Sequence, residues 1–167
     1  MPTDDEFEDF YEAAYGRLVG QLTLILGDRA EAEDVVQEAM LRALQRWSRI
    51  RRYEVPEAWV RRVALNLAVN RFRRARRRLA MLAKLVPDAA TTELDDEQFQ
   101  LDEALAKLPL RYRRVLVLCY VAGLTVDEAA AELHLPRNTV KTQLARGRSA
   151  LAAQLSVPEE EVERHVR

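Results

Sequence analysis

An all-α fold of two small helical modules follows from three properties of the sequence. Apolar residues recur at the spacing of one helix face, most clearly in Val35, Val36, Ala39, Met40, Ala43, Leu44 and Trp47. No stretch alternates apolar and polar residues long enough to form a strand. Only 5 glycines and 6 prolines punctuate 167 residues, which leaves long segments free of helix breakers.

The elements follow in order. A first helix is expected over about residues 4 to 26, closed by Gly27, and a second over about 29 to 48. Pro56 suits the first turn of a third, whose fixed φ and missing amide cost nothing there, and that helix runs to about Leu79. These make a first module over residues 1–80. The helical pattern then lapses over 81–97, where Pro87, Asp88, Thr91, Thr92, Asp95 and Asp96 read as an exposed flexible linker. A second module spans 98–156, with Pro109 opening one of its helices, and 157–167 form a tail. With fewer than sixty residues, the second module buries only about 60% of its unfolded surface, so partners matter to it.

Composition removes several classes of function. The length leaves no room for a large multidomain enzyme. No apolar run approaches the roughly 18 residues of a membrane span, and an N-terminus carrying Asp4, Asp5, Glu6, Glu8 and Asp9 is the opposite of a signal peptide. The chain is therefore expected to be cytoplasmic, without membrane insertion. The single cysteine, Cys119, sits in the apolar run Val115 to Leu118 and reads as a packed core thiol.

The net charge of −1 hides a sorted pattern. Residues 1–41 hold eleven acids and two bases, whereas 42–84 hold fourteen bases against Glu54 and Glu57. Residues 85–110 turn acidic again, and 111–151 carry seven bases and three acids. From Ala58 through Pro87 there are nine bases and no acid. A helix of that composition repels itself unless a polyanion neutralises it, which points to nucleic acid more than to a merely solvated face.

The second module contains a helix-turn-helix pattern. Thr125 and Glu128 form a capping box, after which Val126, Ala129, Ala130 and Leu133 give a short helix an apolar face. That helix must stop by Pro136, yet Val140, Leu144, Gly147 and Leu151 restart the period at once. In such a motif the second helix enters the major groove. Its outward residues, Arg137, Asn138, Thr139, Lys141, Thr142 and Arg146, are types that bond base edges and phosphates.

Leu124 to Leu151, LTVDEAAAELHLPRNTVKTQLARGRSAL, resembles the region 4.2 helix-turn-helix of sigma-70 family RNA polymerase subunits, and Glu31 to Trp47, EAEDVVQEAMLRALQRW, resembles their region 2.2. Two modules with nothing but a linker between them resemble the minimal, extracytoplasmic-function (group 4) type, over about residues 5 to 155. The resemblance implies a protein that joins bacterial core RNA polymerase and directs promoter recognition and melting. The first module would dock on polymerase and open the minus-ten element, and the second would bind the minus-thirty-five duplex. The resemblance also suggests an anti-sigma factor as a further partner. His134 and Asn138 stand where the family has glycines, and both types tolerate the left-handed conformation such a turn demands. His134 is accordingly a turn residue and not a metal ligand; no metal or cofactor is expected.

In the first module, Arg62, Asn66, Asn70, Arg73 and Arg77 fall within an arc of about 80° at 100° per residue, with Arg74 alongside. Val63 and Leu67 flank the arc on one side and Leu65, Val69 and Phe72 on the other. Asparagine offers donor and acceptor together, so such a stripe can bond an extruded base while the arginines hold the separated strand; by resemblance Asn66 is the foremost candidate. The plainer reading has Asn66 and Asn70 satisfying buried backbone groups. Trp47 and Trp59 continue apolar faces and read as core. The resemblance also marks Asp34, Gln37, Glu38 and Leu41, about one turn apart on the second helix, as the polymerase-docking surface.

A stand-alone helix-turn-helix regulator would account for the second module but not for the arginine-rich asparagine helix. An enzyme is disfavoured: Asp127 with Glu128 and Asp95 with Asp96 point apart on a helix, and no nucleophile or phosphate loop accompanies them.

Overall fold

The computed structural model describes residues 2–81 and 96–156. Four helices make the first bundle: α1 (Pro2–Leu26), α2 (Arg29–Leu44), α3 (Trp47–Ile50) and α4 (Pro56–Met81). The second comprises α5 (Asp96–Ala106), α6 (Leu110–Leu116) running into a π-helical turn (Val117–Val121), α7 (Val126–Leu133) and α8 (Arg137–Leu155). No strand is present among the described residues. The linker expected over 81–97 falls mostly outside them, as does the 157–167 tail.

The first bundle is built on burial. Ala14, Leu18, Leu22 and Ile25 present one face of α1 to Val35, Val36, Ala39 and Ala43 of α2, while Val60, Ala64, Leu65 and Ala68 bring α4 into the same core. Gly27, at φ 74°, ends α1 in the left-handed conformation glycine adopts without strain, and its amide donates to the Thr23 carbonyl at 2.7 Å. Asp28 then caps α2 by accepting from the Glu31 amide at 3.0 Å.

The second helix stops at Leu44, earlier than the expected residue 48. The chain turns there so that Trp47 swings into an aromatic cluster, 5.2 Å from Phe7 and 5.0 Å from Phe10 between ring centroids. Burial of that indole decides the break, which no Gly or Pro announces. Both tryptophans belong to the core as expected, Trp47 buried and Trp59 packed against it.

The helix-turn-helix forms as its residues require. Thr125 Oγ1 accepts from the Glu128 amide at 3.2 Å and the Glu128 carboxylate accepts from the Thr125 amide at 2.7 Å. His134 is left-handed at φ 52°, and the Leu135 amide returns to the Ala130 carbonyl at 3.0 Å. Asn138 takes no part in the turn: it is the second residue of α8, in right-handed helix, because Pro136 has already supplied the helix entry. Gly147 lets α8 approach α6 closely, since a Cβ there would meet Leu116 and Tyr112 side-chain atoms at 3.3 Å. Cys119 packs against the core, and burial raises its thiol pKa.

The two bundles share a core. Val115, Val117 and Leu118, from α6 and the π-helical turn, join the cluster centred on α1 and α2. Beside it α7 packs on α4, and the contact holds a buried ion pair. Arg61 donates from Nε and Nη2 to the two Glu132 oxygens at 2.9 and 2.8 Å, and its Nη1 reaches Gln21 Oε1 at 3.4 Å. The side chains of Arg61 and Glu132 are only 7% and 10% exposed, so this pair is desolvated, unlike the surface pairs elsewhere.

Candidate nucleic-acid interface

The outer face of α8 stands free because its inner face is consumed by Val140, Gly147, Leu151 and Ala152. Arg137, Asn138, Lys141, Thr142 and Arg146 are exposed there, and Thr139 is half-buried. The Arg137 guanidinium lies 2.7 Å from Asp127 across the turn. An exposed pair of this kind contributes about 0–1 kcal/mol, so a phosphate can replace the carboxylate readily. The Thr142 hydroxyl donates to the Asn138 carbonyl at 2.9 Å, which leaves its oxygen to accept from outside.

Asn138, Thr139, Thr142 and Arg146 share a hollow of about 300 Å³ with Arg111 and Tyr112 of α6. The Arg111 guanidinium sits 4.7 Å over the Tyr112 ring and donates to its hydroxyl at 3.4 Å. That hydrogen bond lowers the Tyr112 pKa from 10.0 against a smaller rise from desolvation, and Arg146 adds to the lowering. Gln143, which also borders the hollow, has its Oε1 buried without a partner. Arg111, Tyr112 and Gln143 extend the candidate surface beyond the residues expected from sequence. Only a fold that lays α6 against α8 brings the first two there; the sole local hint was their position just after Pro109.

On α4, Asn66, Asn70, Arg73, Arg74 and Arg77 are exposed and Arg62 is half-buried. Val63, Leu67, Val69 and Phe72 are half-buried beside them as apolar margins, whereas Leu65, expected on the same flank, is buried in the core. Asn66 and Asn70 face solvent, which removes the reading in which they serve buried backbone groups. Arg71 turns away from the stripe toward α2, 3.5 Å from Glu38 and 3.9 Å from Asp34.

The candidate docking surface on α2 is thus partly engaged within the chain: Glu38 also pairs with Arg42 of its own helix. Gln37 and Leu41 border an apolar hollow of about 230 Å³ with Phe7, Tyr11, Met40 and Leu44. Leu41 is 60% and Leu44 44% exposed, the feature here that solvation does not explain. Leu44, Phe7 and Tyr11 were missed from sequence because the first read as core and the others lie on another helix.

Sequence comparison matches residues 10–78 to the sigma-70 region 2 model and residues 98–151 to the sigma-70 region 4 model. The ECF RNA polymerase sigma factor SigW of Bacillus subtilis is 31% identical over 170 residues, covering 90% of this chain and 89% of its own. EcfG of Rhodopseudomonas palustris, also an ECF RNA polymerase sigma factor, is 32% identical, covering 94% and 89%. The chain belongs to the sigma-70 family, as an ECF RNA polymerase sigma factor. The fold of this sigma factor is also that of RpoE from Bartonella quintana, solved in complex with the anti-sigma factor NepR, with a TM-score of 0.80 at 18% identity over 91% of this chain and 98% of that one. Region 2 of the sigma factor thus contains α4 and its Asn-Arg stripe, and region 4 contains the helix-turn-helix. Sigma factors are generally non-enzymatic transcription initiation factors. Among the described residues no helix is long and apolar enough to cross a membrane.

Proposed function

We propose that this sigma factor works in the cytoplasm, bringing bacterial core RNA polymerase to promoters with three surfaces. The α8 face enters the major groove of the minus-thirty-five element through Arg137, Asn138, Thr139, Lys141, Thr142 and Arg146. The α4 stripe captures the opened minus-ten strand, Asn66 and Asn70 bonding extruded bases while Arg62, Arg73, Arg74 and Arg77 hold phosphates. Asp34, Gln37, Glu38 and Leu41 dock on polymerase, with the apolar hollow beside them taking the partner's side chains. The division into a module of 1–80 and one of 98–156 follows the same assignment, and an anti-sigma factor is an expected further partner.

The observation that carries the reading is the stripe of exposed asparagines among arginines on α4, which an operator-binding regulator has no use for. Strand opening then needs no catalysis by this chain: base stacking, a few kcal/mol per step, is exchanged for contacts to the extruded bases. The chemistry of polymerisation stays with polymerase. Transcription from a genomic library by bacterial core polymerase, with and without the chain, tests this. New start sites that depend on the chain are expected; unchanged start sites, with no copurification of polymerase, would overturn the assignment.

A further inference from the structure

Between the C-terminal half of α4 and the segment leading into α6 lies a cleft of about 720 Å³, within the range of roughly 300–1,000 Å³ typical of small-molecule sites. Five arginines line it, Arg73 and Arg76 from α4 and Arg111, Arg113 and Arg114 from α6, and among the described residues no acidic one does. Arg113 is only 6% exposed, and the Nε atoms of Arg113 and Arg114 are both buried without a hydrogen-bond partner. Desolvation lowers the pKa of both guanidiniums, and the charge of Arg73 lowers that of Arg114 further.

Buried guanidiniums ordinarily come with a carboxylate, as Arg61 comes with Glu132. Here like charges converge and buried donors go unmet, an arrangement that an anion relieves. Guanidinium forks match phosphate oxygens bidentately, and a polyphosphate offers several such groups to several arginines at once. Much of the remaining wall is apolar and includes Phe72, whose half-buried ring offers a stacking surface. We propose that this cleft binds a nucleotide carrying two or more phosphates, with the phosphates among the arginines and the base against Phe72. The Arg113 Nη1 passes 3.8 Å from the position of a Cβ on Gly27, beneath the end of α1. Because α4 and α6 belong to different bundles, the nucleotide bridges them.

The test is isothermal titration of the full chain at low salt with ATP, GTP, adenosine, inorganic tripolyphosphate and a single-stranded dodecanucleotide. Neither polymerase nor promoter is present, so its outcome is independent of the promoter assignment. The triphosphates are expected to bind and adenosine not to. Arg76 and Arg111 are exposed, so the double variant Arg76→Gln, Arg111→Gln keeps its fold, checked by circular dichroism, and binds triphosphates about tenfold or more weakly. Phe72→Leu is expected to weaken ATP but not tripolyphosphate. Unchanged affinity in the double variant would overturn the proposal. Tripolyphosphate binding as tightly as ATP would remove the base from it, and tighter binding of the oligonucleotide through the same arginines would reassign the cleft to a DNA strand; either result overturns it.

Discussion

The two bundles are both helical, yet they are specified in different ways. In α7 and α8 single residues mark each boundary: the Thr125–Glu128 box starts one helix, left-handed His134 ends it, and Pro136 opens the next. In α1 to α4 Gly27 and Asp28 mark one junction and Pro56 opens α4, but the break after Leu44 and the rest of the packing are set by which faces are buried, from Leu18 and Leu22 to Val36 and Val60. Local chemistry therefore says where a helix stops, whereas packing alone says which face is left outside. The candidate DNA contacts on α8 are accordingly readable one by one, and those on α4 only as a stripe.

The largest expected effect lies where the two regions meet. Glu132→Ala strips Arg61 of its bidentate partner and leaves only the longer contact to Glu57 at 3.6 Å, and should lower stability in urea by up to about 3 kcal/mol. The double variant Arg61→Met, Glu132→Leu should recover most of that loss. If Glu132→Ala unfolds like the parent, the two bundles are not coupled through this pair and the contrast between them is sharper than described.

A smaller effect tests local specification itself. Thr125→Ala removes the cap and should cost about 1 kcal/mol, read as a lowered thermal midpoint. Glu128 adds a pH signature. Hydrogen bonds from the Thr125 amide and hydroxyl hold its carboxyl pKa below the usual 4.5. A carboxyl depressed in the folded state contributes stability above its unfolded pKa and loses it as pH falls through the folded value. Comparison of parent and Glu128→Gln between pH 6 and pH 3 should therefore show the parent losing its advantage below about pH 4.5. A constant gap would show that the cap does not act through the ionised carboxylate.

The smallest effect on stability should accompany a large one on function. Asn66→Ala and Lys141→Ala alter exposed side chains and should shift stability by less than about 0.5 kcal/mol. Asn66→Ala should nevertheless impair open-complex formation more than polymerase binding, while Lys141→Ala weakens the upstream element and reduces the salt slope by about 0.9 if it meets one duplex phosphate. Equal losses in both assays would break the separation of roles between α4 and α8.

Much of this was legible in the sequence, for stated reasons. The all-α class, the helix-turn-helix with its left-handed His134, and the exposed face of α8 all rest on short-range rules of capping, proline and period. The early end of α2 was not legible, because Trp47 is drawn aside by Phe7 and Phe10, forty residues and one helix away in sequence. Nor were the different fates of the arginines. Arg61 and Arg113 look like their neighbours in a basic run, yet one is buried against Glu132 and the other beneath the end of α1. Asn138 was misplaced because a glycine position in related chains suggested a turn, where the preceding proline had already ended it.

Gly147 sets the geometry within which all of this operates. A Cβ at this position would press on Leu116 and Tyr112, so glycine is what lets α8 keep its close approach to α6. That close seat fixes the angle at which α8, in its proposed role, would meet a duplex. On the proposed reading, a new base preference would come from exchanging exposed side chains in the outer row, from Asn138 through Lys141 and Thr142 to Arg146, without moving the helix.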